Sequence, residues 1–477
     1  MNLASHLQCI FPEILLSVAA IITLIFSLLI KNKRAIGYFA LASLAITLWY
    51  VVKTPVINAS IFSGMLINDP FCVFFKILSI FTAILVIFIS FDYKEISSSY
   101  RGEFYCLILL ATTAMMFMAG ASNLLMMYLS IEFLSLISYI IAAYWRGNLK
   151  SSESGLKYFL IGTASSITML YGISLLYGLT GSLDFSQINA ILYGNTAQPA
   201  AISIIILTIL IGLGFKIAMV PIHFWCPDVY EGAPTPVTAF FSVGPKIAGF
   251  ALLLRFLLVG SAFYYQHWAH LLGILSIITM IVGNVTALHQ TNIKRLLAYS
   301  SIAHAGYCLI GLVIGTHIGQ ISLFVYLATY TVMNLGAFAV VIAVSNKIKS
   351  DAIKDYAGLS VNSPYLAALL TIFLLSLAGI PPLAGFIGKF YIFSAALQEG
   401  FLYLAIAAVI NSVIAAYYYF IVIKTMYLEK PHTSIEVRVN PSLNFALILA
   451  LILTLAIGIY PKPLLVFISQ ASNLFIP

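Results

Sequence analysis

The sequence predicts an all-α polytopic membrane protein of about 14 transmembrane helices, with two inverted five-helix repeats and two broken helices. Three observations carry that prediction. The 477 residues are 62% hydrophobic and 8% charged, with a mean hydropathy of +1.05, against about 25% charged residues in soluble domains. Apolar runs such as 11–30, 71–90, 201–220 and 442–460 are each long enough to cross a hydrocarbon core of about 30 Å. Two of the runs are interrupted by proline in a matching way, and each interruption carries a lysine.

The spans read as roughly 11–30, 35–52, 70–91, 103–120, 122–144, 155–180, 199–225, 236–258, 268–288, 294–315, 318–345, 364–397, 400–427 and 442–468. The first is full length and lacks a basic leader or cleavage signal, so it reads as a retained span. No polar domain interrupts the series, which makes 1–477 a single membrane domain. One alternating set of connections holds Lys31, Lys33, Arg34, Lys94, Arg101, Arg146, Lys150, Lys294, Arg295, Lys347, Lys349, Lys354, Lys430 and Arg438, with Lys424 at its edge; the opposite set has only Lys53, Arg255 and Lys462 at its margins. The positive-inside rule puts the basic connections in the cytoplasm and both termini outside. The net charge of +8 is thereby explained by topology, and no nucleic-acid partner is expected. The outward connections Thr54–Asp69 and Gly181–Pro199 read as plain surface loops.

Several chemistries are excluded. The five cysteines are scattered without a C-x-x-C pair, whereas iron–sulfur and structural zinc sites need clustered thiolates. Gly212-x-Gly214 lacks the third glycine and the βαβ setting of a dinucleotide fingerprint, and there is no P-loop. His267-x-x-His270 has no acidic neighbours and reads as no metal site. No cofactor is expected in this chain.

The seventh span runs Gly212-Leu-Gly-Phe-Lys216-Ile-Ala-Met-Val-Pro221, and the twelfth Gly379-Ile-Pro381-Pro382-Leu-Ala-Gly385-Phe-Ile-Gly388-Lys389. Proline removes a helical hydrogen bond and clashes with the preceding turn. Broken helices persist in lipid only where the freed backbone groups face protein or water. The breaks are five spans apart, an odd number, so a second five-helix copy would be inverted. The predicted repeats are 103–258 and 268–427, the arrangement that places a transport site at a repeat interface.

An ionised side chain at the bilayer centre costs at least about 2.5–3.5 kcal/mol on insertion scales, so buried charges mark function. Glu132 lies in an otherwise apolar fifth span, and Lys216 is its candidate partner; a structural ion pair locking two helices is the plain alternative. Lys246 follows Gly244-Pro245 near a further predicted break and is too deep to snorkel. Lys389 sits beside the second break. Lys157 lies near the cytoplasmic start of its span, where snorkelling is the plain alternative, and Lys76 has a similar standing. His304 and His223 are candidates for a proton relay, since a histidine side chain ordinarily titrates near neutrality, although each also suits a hydrogen-bonding core role.

The stretch Gly214-Phe-Lys-Ile-Ala-Met-Val-Pro-Ile-His-Phe-Trp-Cys-Pro-Asp-Val-Tyr-Glu-Gly-Ala-Pro-Thr-Pro-Val-Thr-Ala-Phe240 resembles the signature of the antiporter-like membrane subunits of respiratory complex I. Its Pro227-Asp-Val-Tyr-Glu-Gly-Ala-Pro-Thr-Pro-Val237 form is similar to the subunit N (mitochondrial subunit 2) type. Ser242–Phe250, Asn292–His304 and Leu377–Phe386 extend the resemblance over nearly the whole chain. The resemblance implies a Glu132–Lys216 pair, a central Lys246, a terminal Lys389 leading outward and a further lysine at Lys157. It also implies proton pumping coupled to quinone reduction, with NADH, FMN, iron–sulfur clusters and quinone held by partner subunits. The neighbours it implies are a small K-type subunit, an M-type antiporter-like subunit and the lateral helix of an L-type subunit. The expected location is a bacterial plasma (inner) membrane, with the mitochondrial inner membrane as alternative. Rival functions are a subunit of a multisubunit cation/proton antiporter and a non-conducting scaffold.

Overall fold

The computed structural model describes residues 3–54, 56–91, 93, 96, 100–193, 199–431 and 437–472. Lys94 of the predicted basic face and both chain ends lie outside them. The chain opens with α1 (Leu3–Cys9), α2 (Phe11–Leu29) and α3 (Lys33–Lys53), then β1 (Ile57–Ile61) and β2 (Leu66–Asn68). There follow α4 (Pro70–Ser90), α5 (Arg101–Gly120), α6 (Leu124–Ala142), α7 (Leu149–Thr180), α8 (Phe185–Tyr193), α9 (Pro199–Ile217) and α10 (Trp225–Gly232). The second part holds α11 (Thr235–Arg255), α12 (Tyr265–Ala287), α13 (Ile293–Ile314), α14 (His317–Ile348) and α15 (Leu359–Asn362). The chain closes with α16 (Pro364–Ala378), α17 (Ala384–Gln398), α18 (Leu402–Leu428), α19 (Pro441–Ile459) and α20 (Lys462–Ala471).

Among the described residues, 13 helices are long and apolar enough to cross a membrane. The apolar α16 and α17 are half-length pieces either side of Gly379–Leu383. Helices α11 and α14 are buried along their whole apolar windows and form the centre. By contrast, α2, α3, α18 and α19 present exposed side chains such as Leu28, Trp49, Val413 and Ile452. This apolar perimeter suits lipid, since lipid tails are as apolar as leucine.

Both predicted breaks are present, and their freed backbone groups are satisfied by protein. Helix α9 stops at Ile217, with Ala218 at φ +58° and Pro221 after it. The Phe215 carbonyl accepts a hydrogen bond from the Trp225 indole at 3.2 Å, and the Val220 N–H donates to Thr279 Oγ1 at 3.2 Å. Helix α16 stops at Ala378, where Gly379 adopts φ +92°, a conformation that a side chain would resist. The Ala378 carbonyl accepts from Lys389 Nζ at 2.7 Å.

Four expectations need correction. No break occurs at Gly244-Pro245, because α11 runs through Pro245 to Arg255; one proline removes a single bond, and close packing on every side of this helix holds it together. The connection after α3 is a two-stranded antiparallel sheet, with Ser60 opposite Ile67, and the connection after α7 holds α8. The last span ends at Ile459, since Pro461 opens a separate short helix, α20. Arg255 is no marginal surface charge. It makes a buried two-pronged ion pair with Asp69, at 2.8 and 2.9 Å, and donates to the Ala119 carbonyl at 3.1 Å. Asp69 also caps α4 by accepting from the Cys72 N–H at 2.8 Å.

Breaking a buried pair by removing one partner costs about 3–5 kcal/mol, because the remaining charge is left uncompensated. Arg255→Met is therefore expected to lower the thermal unfolding midpoint of the purified membrane assembly. An unchanged midpoint would mean that Asp69 finds another partner.

Candidate functional site

The predicted lysines lie on three separate helices that converge in the buried centre. Lys216 is the penultimate residue of α9, with its side chain sealed from solvent. Its ammonium has no hydrogen-bond partner among the described residues and lies 6.0 Å from the Tyr158 ring and 5.7 Å from the Phe215 ring. Glu132 on α6 is hydrogen-bonded by the Ser166 hydroxyl of α7. The predicted ion pair is thus open: no contact within 4 Å joins the two groups, although the carboxylate acts on the ammonium electrostatically. Ser166 competes for the acid, and the aromatic faces receive the base.

Lys246, on the central α11, donates to the Ser301 carbonyl at 2.6 Å and to Ser301 Oγ at 2.9 Å. One turn further along α13, His304 Nδ1 is 2.6 Å from the Tyr326 hydroxyl and Nε2 is 3.4 Å from the Tyr419 hydroxyl. The charges of Lys246 and Lys389 both act on this imidazole. Tyr419 in turn meets Ser300 Oγ at 2.5 Å. Lys389, on α17, donates to Ser412 Oγ at 2.8 Å as well as to Ala378, and its ammonium lies 5.2 Å from the Tyr307 ring. Lys246, His304 and Lys389 therefore share one buried polar region whose remaining members are hydroxyls able both to donate and to accept.

The other candidates lie elsewhere. His223 is buried just past the first break, with Nδ1 3.3 Å from the Pro221 carbonyl. Lys157 is 40% exposed and pairs with Glu153 and Asp228, both at 2.7 Å, so it sits at the polar rim and not in the bilayer centre. Lys76 is fully buried and pairs with Glu13 at 2.7 Å and with Asn68 Oδ1 at 2.9 Å.

Sequence reasoning missed Ser166, Ser301, Tyr326, Tyr419 and Ser412, because serine and tyrosine are common in packed helices and nothing in their spacing distinguishes these five. It also passed over Asp228 and Glu231, although both stand inside the signature segment. Partial burial raises the Asp228 carboxyl pKa, but hydrogen bonds from Lys157 and Arg295 bring it below its ordinary value on balance. Glu231 is lowered in the same manner by Arg295 and Lys150. Both remain ionised at neutral pH.

A buried row of titratable groups beside two interrupted helices defines a charge-conducting membrane subunit. The family model for the transmembrane domain of NADH:quinone oxidoreductase and Mrp antiporter proteins matches residues 121–415. The chain belongs to that family. It is 44% identical to NADH-quinone oxidoreductase subunit N 2 of Chloroherpeton thalassium over 96% of this chain and 93% of the relative. It also resembles a chain of respiratory complex I from Thermus thermophilus, at 31% identity and a TM-score of 0.80, covering 96% of this chain and 99% of that one. A chain of the Mrp complex from Dietzia shares the fold, with a TM-score of 0.85 at 20% identity over 99% of this chain and 97% of the other.

Tyr326→Phe keeps the ring but leaves His304 Nδ1 without its short bond. Losing one partner of a buried hydrogen bond costs about 1–3 kcal/mol, and each 1.36 kcal/mol is tenfold in rate. Proton uptake driven by NADH in inverted vesicles is expected to slow by roughly 5- to 100-fold if His304 conducts. An unchanged rate would leave His304 a packing residue.

Proposed function

We infer that this chain is the subunit N-type membrane subunit of a proton-translocating NADH–quinone oxidoreductase, in which protons cross by way of buried glutamate and lysine side chains. Full-length similarity to subunit N proteins supports the assignment to that enzyme. The observation that carries the proton path is the clustering of Lys246, His304 and Lys389 with hydroxyl partners, next to an open Glu132–Lys216 pair. Closing that pair would hold Lys216 protonated, and opening it would release a proton inward to Lys246. From Lys246 the proton would pass His304 and leave through Lys389. The gaps between these groups are bridged by water in this reading, and coupling to quinone reduction perturbs Glu132 first. His223, beside the first break, and Lys157, at the rim, are the outer candidates for proton uptake.

The repeats are proposed as 103–258 and 268–427. Each would contain a 32-residue helix, α7 or α14, immediately upstream of its broken span; counting α16 and α17 as one broken span brings the total to fourteen. The basic connections face the cytoplasm, both termini face outward, and a bacterial inner membrane holds the chain. NADH, FMN, iron–sulfur clusters and quinone belong to partner subunits. The immediate neighbours are a K-type subunit, an M-type subunit and the lateral helix of an L-type subunit. The alternative, a subunit of a multisubunit cation/proton antiporter, has support from the shared family model and from likeness of fold, at 20% identity.

Lys216→Ala tests the path in inverted membrane vesicles after assembly is confirmed. NADH-driven proton uptake is expected to be lost together with quinone-linked NADH oxidation. Uptake at the wild-type rate would reduce the buried lysines to structural groups.

A further inference from the structure

The two acidic residues of the signature segment, Asp228 and Glu231, take no part in the lysine row, yet they are densely bonded. Asp228 Oδ2 accepts from Lys157 Nζ at 2.7 Å, and Oδ1 accepts from Arg295 Nη1 at 2.8 Å. Glu231 accepts from Arg295 Nη1 at 3.0 Å and from Lys150 Nζ at 3.2 Å. The buried Lys294 ammonium donates to the carbonyls of Glu231 and Ala233, both at 2.7 Å. Glu153 completes the set through Lys157, and the side chains of Lys150, Glu153, Lys157, Asp228, Glu231 and Arg295 line an open cleft of about 230 Å³. Helix α10 is thus fastened to α7 on one side and to α13 on the other. Gly232 brings it so close to α7 that a Cβ there would collide with Ser154 Oγ and the Lys150 carbonyl.

The first two residues of the same eight-residue helix touch both inner lysine sites. Trp225 stacks on Tyr158, with centroids 4.3 Å apart and planes at 10°, and Tyr158 is the ring beside Lys216. The neighbouring Cys226 has its Sγ 3.9 Å from Ser301 Oγ, which accepts from Lys246. A shift of α10 by even a fraction of an ångström would change the surroundings of two lysines at once, because packed interiors transmit displacement.

We infer that Asp228 is a positioning residue for proton transfer: by bridging Lys157 and Arg295 it fixes the seat of α10, and through Trp225 and Cys226 it sets the surroundings of both Lys216 and Lys246. Lys157 then serves as one half of this fastening. The inference rests on the proposed proton path, and it gives the Pro227-Asp-Val-Tyr-Glu-Gly232 segment a reason for its charges and its glycine.

The test uses the assembled membrane complex carrying Asp228→Asn or Asp228→Glu, with Lys216→Ala in parallel. Two quantities are read: the pH profile of NADH-driven proton uptake, and the maleimide labelling rate of Cys226, followed by mass spectrometry. Asp228→Asn is expected to displace the pH profile and to raise Cys226 labelling several-fold, while Asp228→Glu restores both toward wild type. A wild-type profile and wild-type labelling in Asp228→Asn overturn the inference. Should Asp228→Asn fail to assemble, Arg295→Gln removes the Nη1 that bridges Asp228 and Glu231; the same displacement is expected, and its absence is equally decisive. Loss of uptake in Lys216→Ala with no effect at Asp228 sinks the positioning role alone. Normal uptake in Lys216→Ala sinks the path beneath it.

Discussion

A helix interrupted inside a membrane must find partners for the backbone groups it frees, and the organisation of this protein follows from that constraint. Water cannot reach them in the hydrocarbon, and each unsatisfied group costs several kcal/mol. Here two of the partners are side chains close to the proposed proton path. Lys389 donates to the carbonyl that ends α16, and Trp225 donates to a carbonyl at the end of α9. The breaks thereby bring a lysine and an aromatic residue to defined places in the centre. They also end helix α9 one residue after Lys216, which leaves that ammonium among rings and without a hydrogen bond.

Two kinds of buried charge coexist in this fold and differ in how fully they are matched. Asp69–Arg255 and Glu13–Lys76 are close ion pairs, each holding α4 to another helix near the face of the β1–β2 sheet. Among the described residues, Lys216, Lys246 and Lys389 have no carboxylate within bonding distance; they face rings, hydroxyls and carbonyls. Matched pairs hold their protons firmly, because each charge stabilises the other. Lysines facing only dipoles are easier to discharge, which is what proton carriage requires.

The sequence disclosed the helical membrane class, the two breaks and the three central lysines, because length, apolarity and proline chemistry act locally. It misjudged Pro245, where burial of α11 on all sides overrides a local breaker. It could not foresee that Glu132 turns to Ser166 and away from Lys216, since two candidate partners on different helices are separated only by packing. Lys157 and Asp228 are 71 residues apart, and their pairing was equally hidden. Local rules found the charges, and tertiary contacts decided what each one does.

Lys246 is the hub of this account, since it lies between the Lys216 site, reached through Ser301 and α10, and the His304–Lys389 region. The most direct measurement is NADH-driven proton uptake by inverted vesicles carrying Lys246→Met, with the amount of assembled complex equalised to wild type. The account predicts loss of uptake with a parallel fall in quinone-linked NADH oxidation. Uptake at the wild-type rate would contradict it.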